Sequence, residues 1–337
     1  MCADYLPTGP INIVSSSTEN DTNPKIVALG GGHGLYVSLK AMRLLTTELT
    51  ALVTVADDGG SSGRIRDERP DLLPPGDLRM ALAALCDDDV WGKTWRNTMQ
   101  YRFNTSDELN GHSLGNLLIV ALWDQLGDPI EGLRWAARLL EAKGEVLPMS
   151  IEPLHIEGDL VHNGEVTTVK GQNALAKAPG KIKDLRIEPK NAKIPDQVLK
   201  TIAEAEYIIV GPGSLYTSVL PHFLLPELKQ ALIDSKAKLC FTMNINLADD
   251  ETSGMKAGDH LGVLGEIASG VDFDYIIVNK DSIEDVAGFE KEVAAIGAEV
   301  VADRLSHSSH SEVHDPLRLA AIYKEIFTKD SKQGVNK

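Results

Sequence analysis

The chain is poor in cysteine: Cys2, Cys86 and Cys240 are the only three, odd in number, far apart and without CxxC spacing. That fits reduced, mostly structural thiols better than a disulfide framework or a cysteine zinc site. It is also poor in basic charge, with 33 Lys and Arg against 49 Asp and Glu, a formal net charge of −16 over 337 residues. An extended phosphate backbone binds by releasing counterions to Lys and Arg, so nucleic acid is not expected as a partner. Long apolar runs are missing too: none reaches the roughly 18 residues of a spanning helix, and Met1-Cys2-Ala3-Asp4-Tyr5 lacks the basic-then-apolar layout of a signal peptide. No membrane insertion and a cytoplasmic location are therefore expected. Net charge averages over the whole surface, however, so a helix N-terminus or a backbone nest remains available to a small phosphate.

What is present is an alternation of short apolar runs and helical spacing. Residues 1–24 are rich in Ser, Thr, Asn, Asp and Pro and read as a flexible tail. Lys25-Ile26-Val27-Ala28-Leu29 reads as a strand ending in glycines, followed by Leu35, Leu39, Met42 and Leu45 at helical spacing. A second strand spans 49–56, and a helical block spans about 76–142. Short β-type runs around Val146, Ile151, Val161, Val166 and Ile187, with a hairpin signal at Asn163-Gly164, predict a small antiparallel insert over about 146–188. Strands at 207–210, 239–243, 275–278 and 299–302 then alternate with helices. The fold class is α/β, three-layered and Rossmann-like, with a mostly parallel sheet, helices on both faces and the small β insert. One domain over 25–330 is expected, with a flexible C-terminal tail at 331–337, because the two glycine loops would share one sheet edge.

Five segments carry candidate chemistry. Gly30-Gly31-Gly32-His33-Gly34 lies between a strand and a helix, where backbone N–H groups can approach a phosphate; it matches neither the dinucleotide fingerprint nor a P-loop, and the plain alternative is a tight turn. Asp57-Asp58-Gly59-Gly60-Ser61-Ser62-Gly63, with Arg64 and Arg66 behind it, offers carboxylates for a divalent cation and amides and hydroxyls for a phosphate; the alternative is an Asp-Gly turn with a Ser capping a helix. In Pro74-Pro75-Gly76-Asp77-Leu78-Arg79, Asp77 reads equally as a helix cap or a ligand contact. His112-Ser113-Leu114-Gly115-Asn116 opens an apolar helix, with Ser113 a candidate cap and His112 and Asn116 spaced to share a face. The fifth, Gly211-Pro212-Gly213-Ser214-Leu215-Tyr216-Thr217-Ser218, follows an apolar strand with amides, three hydroxyls and a ring against which a base or sugar could lie. His307, His310 and His314 read as part of a polar Ser/His segment rather than a metal site, ahead of a helix that Asp315-Pro316 would open. No nucleophile elbow, HExxH or Ser-His-Asp pattern is present.

Taken in order, Leu29-Gly30-Gly31-Gly32 with Gly34-Leu35, Val55 to Arg64, Pro75-Gly76-Asp77-Leu78-Arg79, Tyr101-Arg102-Phe103, Gly111 to Leu117 and Gly211 to Ser218 resemble the YvcK/CofD family over about 25–280. The resemblance is stronger to its gluconeogenesis-factor branch than to its phospholactate-transferase branch. It implies a regulatory protein that binds a UDP-sugar such as UDP-N-acetylglucosamine, tied to gluconeogenic growth, cell-wall metabolism and cell shape. Its implied contacts are Gly30 to Gly34, Asp57 to Ser62, Asp77, Arg79, His112, Ser113, Asn116, Gly211, Gly213 to Ser218, and Asn244, with the nucleoside near Tyr216 and Asn244. The transferase branch implies instead Mg²⁺ on Asp58 and charge stabilisation by Arg64 or Arg79. A protein scaffold is the third reading, and a homodimer and protein partners are compatible with all three. His33 stands where members commonly carry Thr, and 244–252 keeps the family's Asn and Glu-Thr while changing the residues between.

Overall fold

The computed structural model describes residues 23–162, 164–178, 181–247, 250–307 and 312–334. The polar stretch 1–22 with Cys2, the hairpin residue Asn163, His310 and residues 335–337 thus lie outside the described residues.

The chain enters through β1 (Ile26–Gly30), whose five residues are all buried, turns at Gly31 into α1 (Gly32–Met42) and returns as β2 (Leu49–Val53). Five helices follow without a strand: α2 (Gly60–Glu68), α3 (Pro75–Leu85), α4 (Val90–Gln100), α5 (Leu114–Leu126) and α6 (Pro129–Leu140). Their ends are set locally. Gly127 takes the left-handed conformation that stops α5. Asp128 then accepts the N–H groups of Ile130 at 2.8 Å and Glu131 at 3.2 Å, with Pro129 in the first helical position of α6.

The strand β3 (Glu145–Pro148) precedes β4 (His155–His162) and β5 (Glu165–Lys170), the short α7 (Gln172–Lys177) and β6 (Lys181–Glu188). Alternation then resumes with α8 (Asp196–Glu204), β7 (Tyr207–Val210), a π-helical turn at Leu215–Val219, α9 (Pro221–Leu224), α10 (Pro226–Asp234) and β8 (Lys238–Thr242). It ends with α11 (Ala257–Ile267), β9 (Tyr275–Asn279), α12 (Val286–Ala295), β10 (Glu299–Asp303) and α13 (Pro316–Gly334).

Seven strands form one parallel sheet in the order β10-β9-β8-β7-β1-β2-β3, and β5-β4-β6 form a separate antiparallel sheet. The α/β class with a small antiparallel insert is as the sequence predicts. Two details differ. The run around Val146, read with the insert, pairs in parallel with β2 at the edge of the main sheet, since its apolar face can be buried there; antiparallel pairing begins at His155. The stretch 331–334, expected as tail, continues α13.

The order matters for function. From β1 the chain progresses outward through β2 and β3, then crosses back to place β7 on the other side of β1 and progresses outward again. Strand order reverses between β1 and β7, and in open parallel sheets the crevice beyond the carboxyl ends of such a pair is where ligands bind. α13 closes the far side: the buried Tyr323 hydroxyl lies 3.1 Å from Ser38 of α1 and 3.0 Å from Thr242 of β8. Asp330 accepts the hydroxyls of Tyr207 at 3.2 Å and Tyr275 at 2.6 Å.

Candidate functional site

Because β1 and β7 are neighbours, the loops after them run side by side. Gly34 abuts the second loop so closely that a Cβ built on it would lie 2.2 Å from the Pro212 carbonyl oxygen and 2.6 Å from Gly213 Cα. Gly32 has φ +57°, a conformation glycine adopts at little cost. The second loop is fixed by side chains: the Gly213 N–H donates to Asn244 Oδ1 at 2.9 Å, while Ser214 Oγ at 2.6 Å and the Tyr216 N–H at 3.1 Å both donate to Glu251 Oε1. Thr217 N–H donates to Ser214 Oγ at 3.2 Å, and Thr217 and Ser218 are buried. The reading of Tyr216 as an open stacking surface is corrected here. Its ring is only 4% exposed, packed with Leu215 into the core, and burial pushes its hydroxyl up to about 12. An aromatic at this place contributes more by leaving water than by presenting a face to it.

A cleft of about 310 Å³ opens between these loops and the insert, lined by Asp57, Gly59, Gln172, Asn173, Ser214 and Glu251 among others. Asp57 accepts the Gly59 N–H at 2.9 Å; burial raises its carboxyl, opposed by that N–H and the Ser62 hydroxyl. Asp77 is pushed up to about 7 by burial and then by the charge of Asp57, while the Gly32 N–H works the other way. It sits inside the first turn of α3, which begins at Pro75, and turns to the glycine loop instead of capping its own helix. Gly76 lies between the two acids' surroundings: a Cβ there would come 2.4 Å from Ser62 Oγ and 2.6 Å from Asp57 Oδ2.

Asp58 faces elsewhere. Its Oδ1 accepts the Asn173 N–H at 2.9 Å and its carboxylate lies against Gly171, so it ties the insert's α7 to the loop. Arg66 does similar work, donating to the Asp57 carbonyl at 3.3 Å and the Leu154 carbonyl at 3.1 Å. Ser61 and Ser62 are buried in the first turn of α2, while Gly60 opens that helix at φ +49°. Arg64 Nη1 donates to the Glu108 carbonyl at 3.3 Å, and His33 is exposed in the first turn of α1.

Behind this loop is a polar chain. Arg79, buried at 4% exposure, donates from Nε to Asn116 Oδ1 at 2.9 Å and from Nη1 to Gln100 Oε1. Asn116 Nδ2 lies 3.1 Å from Ser61 Oγ, the Ser113 N–H 3.3 Å from it, and His112 Nδ1 3.1 Å from it. Ser113 holds the cap position of α5, but its hydroxyl donates to the Met99 carbonyl at 2.9 Å, outside the helix.

Of the residues singled out in sequence, the structure brings together the two glycine loops, Asp57, Asp77 and the Ser61–His112–Asn116–Arg79 group. Glu251, Gln172 and Asn173 were not singled out. Glu251 belonged to a segment whose Glu-Thr had been noted, while Gln172 and Asn173 reach the cleft only through the insert's long-range placement. His307 Nδ1 lies 3.1 Å from Asp315, and the buried His314 donates from Nε2 to the Met243 carbonyl at 3.1 Å. No group of three or more His, Cys, Asp or Glu side chains placed to hold a metal occurs among the described residues. Cys86 and Cys240 are free and buried. No helix among the described residues is long and apolar enough to cross a membrane.

A parallel sheet whose strand order reverses under two abutting glycine-rich loops defines an open α/β protein with a crevice at the edge where such sheets commonly hold ligands. Residues 26–315 match the family model described as 2-phospho-L-lactate transferase CofD. The chain belongs to the CofD family, in its gluconeogenesis-factor group. It is 40% identical over 312 residues to a Mycobacterium tuberculosis protein named "Putative gluconeogenesis factor", covering 90% of this chain and 91% of that one. It is 33% identical over 317 residues to the Bacillus subtilis protein named gluconeogenesis factor, covering 90% and 98%. A crystal structure of a UPF0052-family protein from Bacillus halodurans superposes with a TM-score of 0.79 at 34% identity, covering 90% of this chain and 99% of that one.

Proposed function

We propose that the protein is a cytoplasmic regulatory protein that binds a nucleotide-sugar, UDP-N-acetylglucosamine first among candidates, and links gluconeogenic growth to cell-wall metabolism and cell shape. The observation that carries the reading is the backbone contact of Gly34 with Pro212 and Gly213 at the strand-order reversal. Two glycine loops pressed together there leave a cleft walled by backbone and hydroxyls, which suits a phosphorylated ligand. The proposed contacts are the loop 30–34, Asp57 with 59–62, and 213–218 with Asn244 behind it. The gluconeogenesis-factor name of the relatives supports the metabolic setting.

The test is calorimetric titration of the protein with UDP-N-acetylglucosamine and, separately, GDP, each with and without Mg²⁺, followed by assay of whether the ligand survives. Binding of the intact UDP-sugar without a metal requirement supports the reading. Binding of neither nucleotide overturns it.

A second reading, a Mg²⁺-dependent transferase acting on a nucleotide diphosphate-linked donor, is favoured by the family model's description and by the acids Asp57 and Asp77. Two carboxyls whose proton affinity burial raises, in the same neighbourhood, are a donor set for a hard cation, which would neutralise their repulsion and polarise phosphate oxygens. Asp57 and Asp77 fit that task; Asp58, committed to Asn173, fits it less well. GDP binding that requires Mg²⁺, with consumption of a GDP-linked donor, would select this reading.

A further inference from the structure

We infer that Arg79, Asn116 and Ser61 lock His112 into its uncharged form with the proton on Nε2, so that the ring offers a hydrogen-bond donor to an oxygen atom of the ligand.

The direction of each bond in the chain is fixed by what its members can do. A guanidinium has no acceptor, so Arg79 Nε donates at 2.9 Å and the Asn116 atom that meets it is the oxygen. The Asn116 amide nitrogen is thereby turned to Ser61 Oγ, at 3.1 Å, where it can only donate. The Ser113 backbone N–H, also a donor only, reaches the same oxygen at 3.3 Å. A hydroxyl has two lone pairs and one hydrogen. With both lone pairs engaged, the Ser61 hydrogen goes to its remaining neighbour, His112 Nδ1 at 3.1 Å.

Nδ1 accepts only when it bears no proton, so the ring is neutral and its single N–H is on Nε2. His112 is partly exposed, and its Nε2 has no protein partner among the described residues. The charged groups around it are Arg64 and Glu68 on α2; burial first and Arg64 second oppose its protonation, while Glu68 favours it. Protonation would also set two hydrogens against each other between Nδ1 and Ser61. Ser61, Asn116 and Arg79 are positioning residues, and His112 is the group that reaches outward.

The assignment of the ligand oxygen to a phosphorylated nucleotide rests on the function proposed above; the tautomer does not. The test is a long-range ¹H–¹⁵N correlation on the full chain labelled at histidine, without ligand at pH 7.5, with His112 assigned by its loss in His112→Gln. The expected signature is a protonated Nε2 and a bare Nδ1. In Ser61→Ala it becomes a mixture of both tautomers while the other histidine signals stay in place, and Ser61→Thr, which keeps the hydroxyl, restores it. A proton on Nδ1, an imidazolium, or a Ser61→Ala spectrum identical to the parent's would overturn the lock. Should Ser61→Ala fail to fold, the parent spectrum alone decides the tautomer. In a second arm UDP-N-acetylglucosamine, GDP with Mg²⁺ and inorganic phosphate are added in turn. The Nε2–H resonance is expected to shift on binding, and affinity to fall about tenfold in Ser61→Ala, as for loss of one oriented hydrogen bond. A bound ligand that leaves Nε2–H unmoved overturns the donor role. Absence of any binding refutes the proposed function and the ligand half of the inference together, and leaves the tautomer to the first arm.

Discussion

Gly34 and Pro212 are in backbone contact: a Cβ on the first would stand 2.2 Å from the carbonyl oxygen of the second. Neither partner is a flexible side chain, so the loops would have to part. Gly34→Ala is expected to lose about 1–3 kcal/mol in urea unfolding, the range for overpacking. Gly32→Ala has open space around its Cβ but inherits φ +57°, and is expected to lose roughly 1 kcal/mol. If Gly34→Ala proves the milder of the two, the loop contact is not what shapes this edge.

Asp77→Asn is expected to stabilise the protein at alkaline pH. The carboxyl is raised from 3.8 to about 7, so the folded state holds its proton more tightly than the unfolded chain. Stability from this group is then present at low pH and lost as pH rises from about 4 to about 7, by an amount on the order of 4 kcal/mol at most. Asparagine removes the charge and keeps an oxygen for the Gly32 N–H. Urea unfolding at pH 8 and pH 5 should show a gain of about 2–4 kcal/mol at the first and less than half of that at the second. No gain at pH 8 would mean that the acid is not strained there.

The same variant should uncover an opposite slope. His222, fully buried between the carbonyls of Leu52 at 3.1 Å and Val219 at 3.2 Å, and His314 are both pushed down to about 4, chiefly by burial. A lowered histidine contributes stability above about 6.5 that is lost as pH falls toward 4, up to about 3 kcal/mol per group. In the parent protein the Asp77 contribution runs against this. In Asp77→Asn, stability should fall steadily from pH 6.5 to 4.5 by calorimetry, and a flat profile there would refute the buried, neutral histidines.

Asp58→Ala is expected to loosen α7, not to empty the cleft. Loss of the oxygen that holds the Asn173 N–H removes about 1 kcal/mol, as for a helix-cap deletion. Hydrogen exchange at Asn173 should quicken roughly fivefold. Unchanged exchange with abolished nucleotide binding would return Asp58 to the ligand.

The fold was legible where burial imposes a period on the sequence. β1 and β7 are unbroken apolar runs because parallel strands covered on both faces disfavour polar side chains, and their loops announce themselves in glycine. Val146 misled because a short edge strand carries the same apolar signature in either sheet, and only the long-range pairing with β2 decides between them. In the candidate site, residue type was readable and direction was not. Asp57 and Asp58 are neighbours in sequence with the same chemistry, yet one turns to the cleft and the other to α7. Tyr216 looked like a platform because an aromatic after a glycine loop is ambiguous until its burial is known.

The position of α13 has a consequence for synthesis. Its Tyr323 completes the polar contacts of Ser38 on the first helix, and its Asp330 joins the entry ends of β7 and β9. Roughly 270 residues separate α1 from α13 along the chain. A ribosome adding about 5–20 residues per second keeps them apart for about 15–55 s. Through that interval the face of α1 that α13 will cover has no cover from its own chain, so a nascent polypeptide stalled before residue 316 is the form in which this protein would depend most on a chaperone.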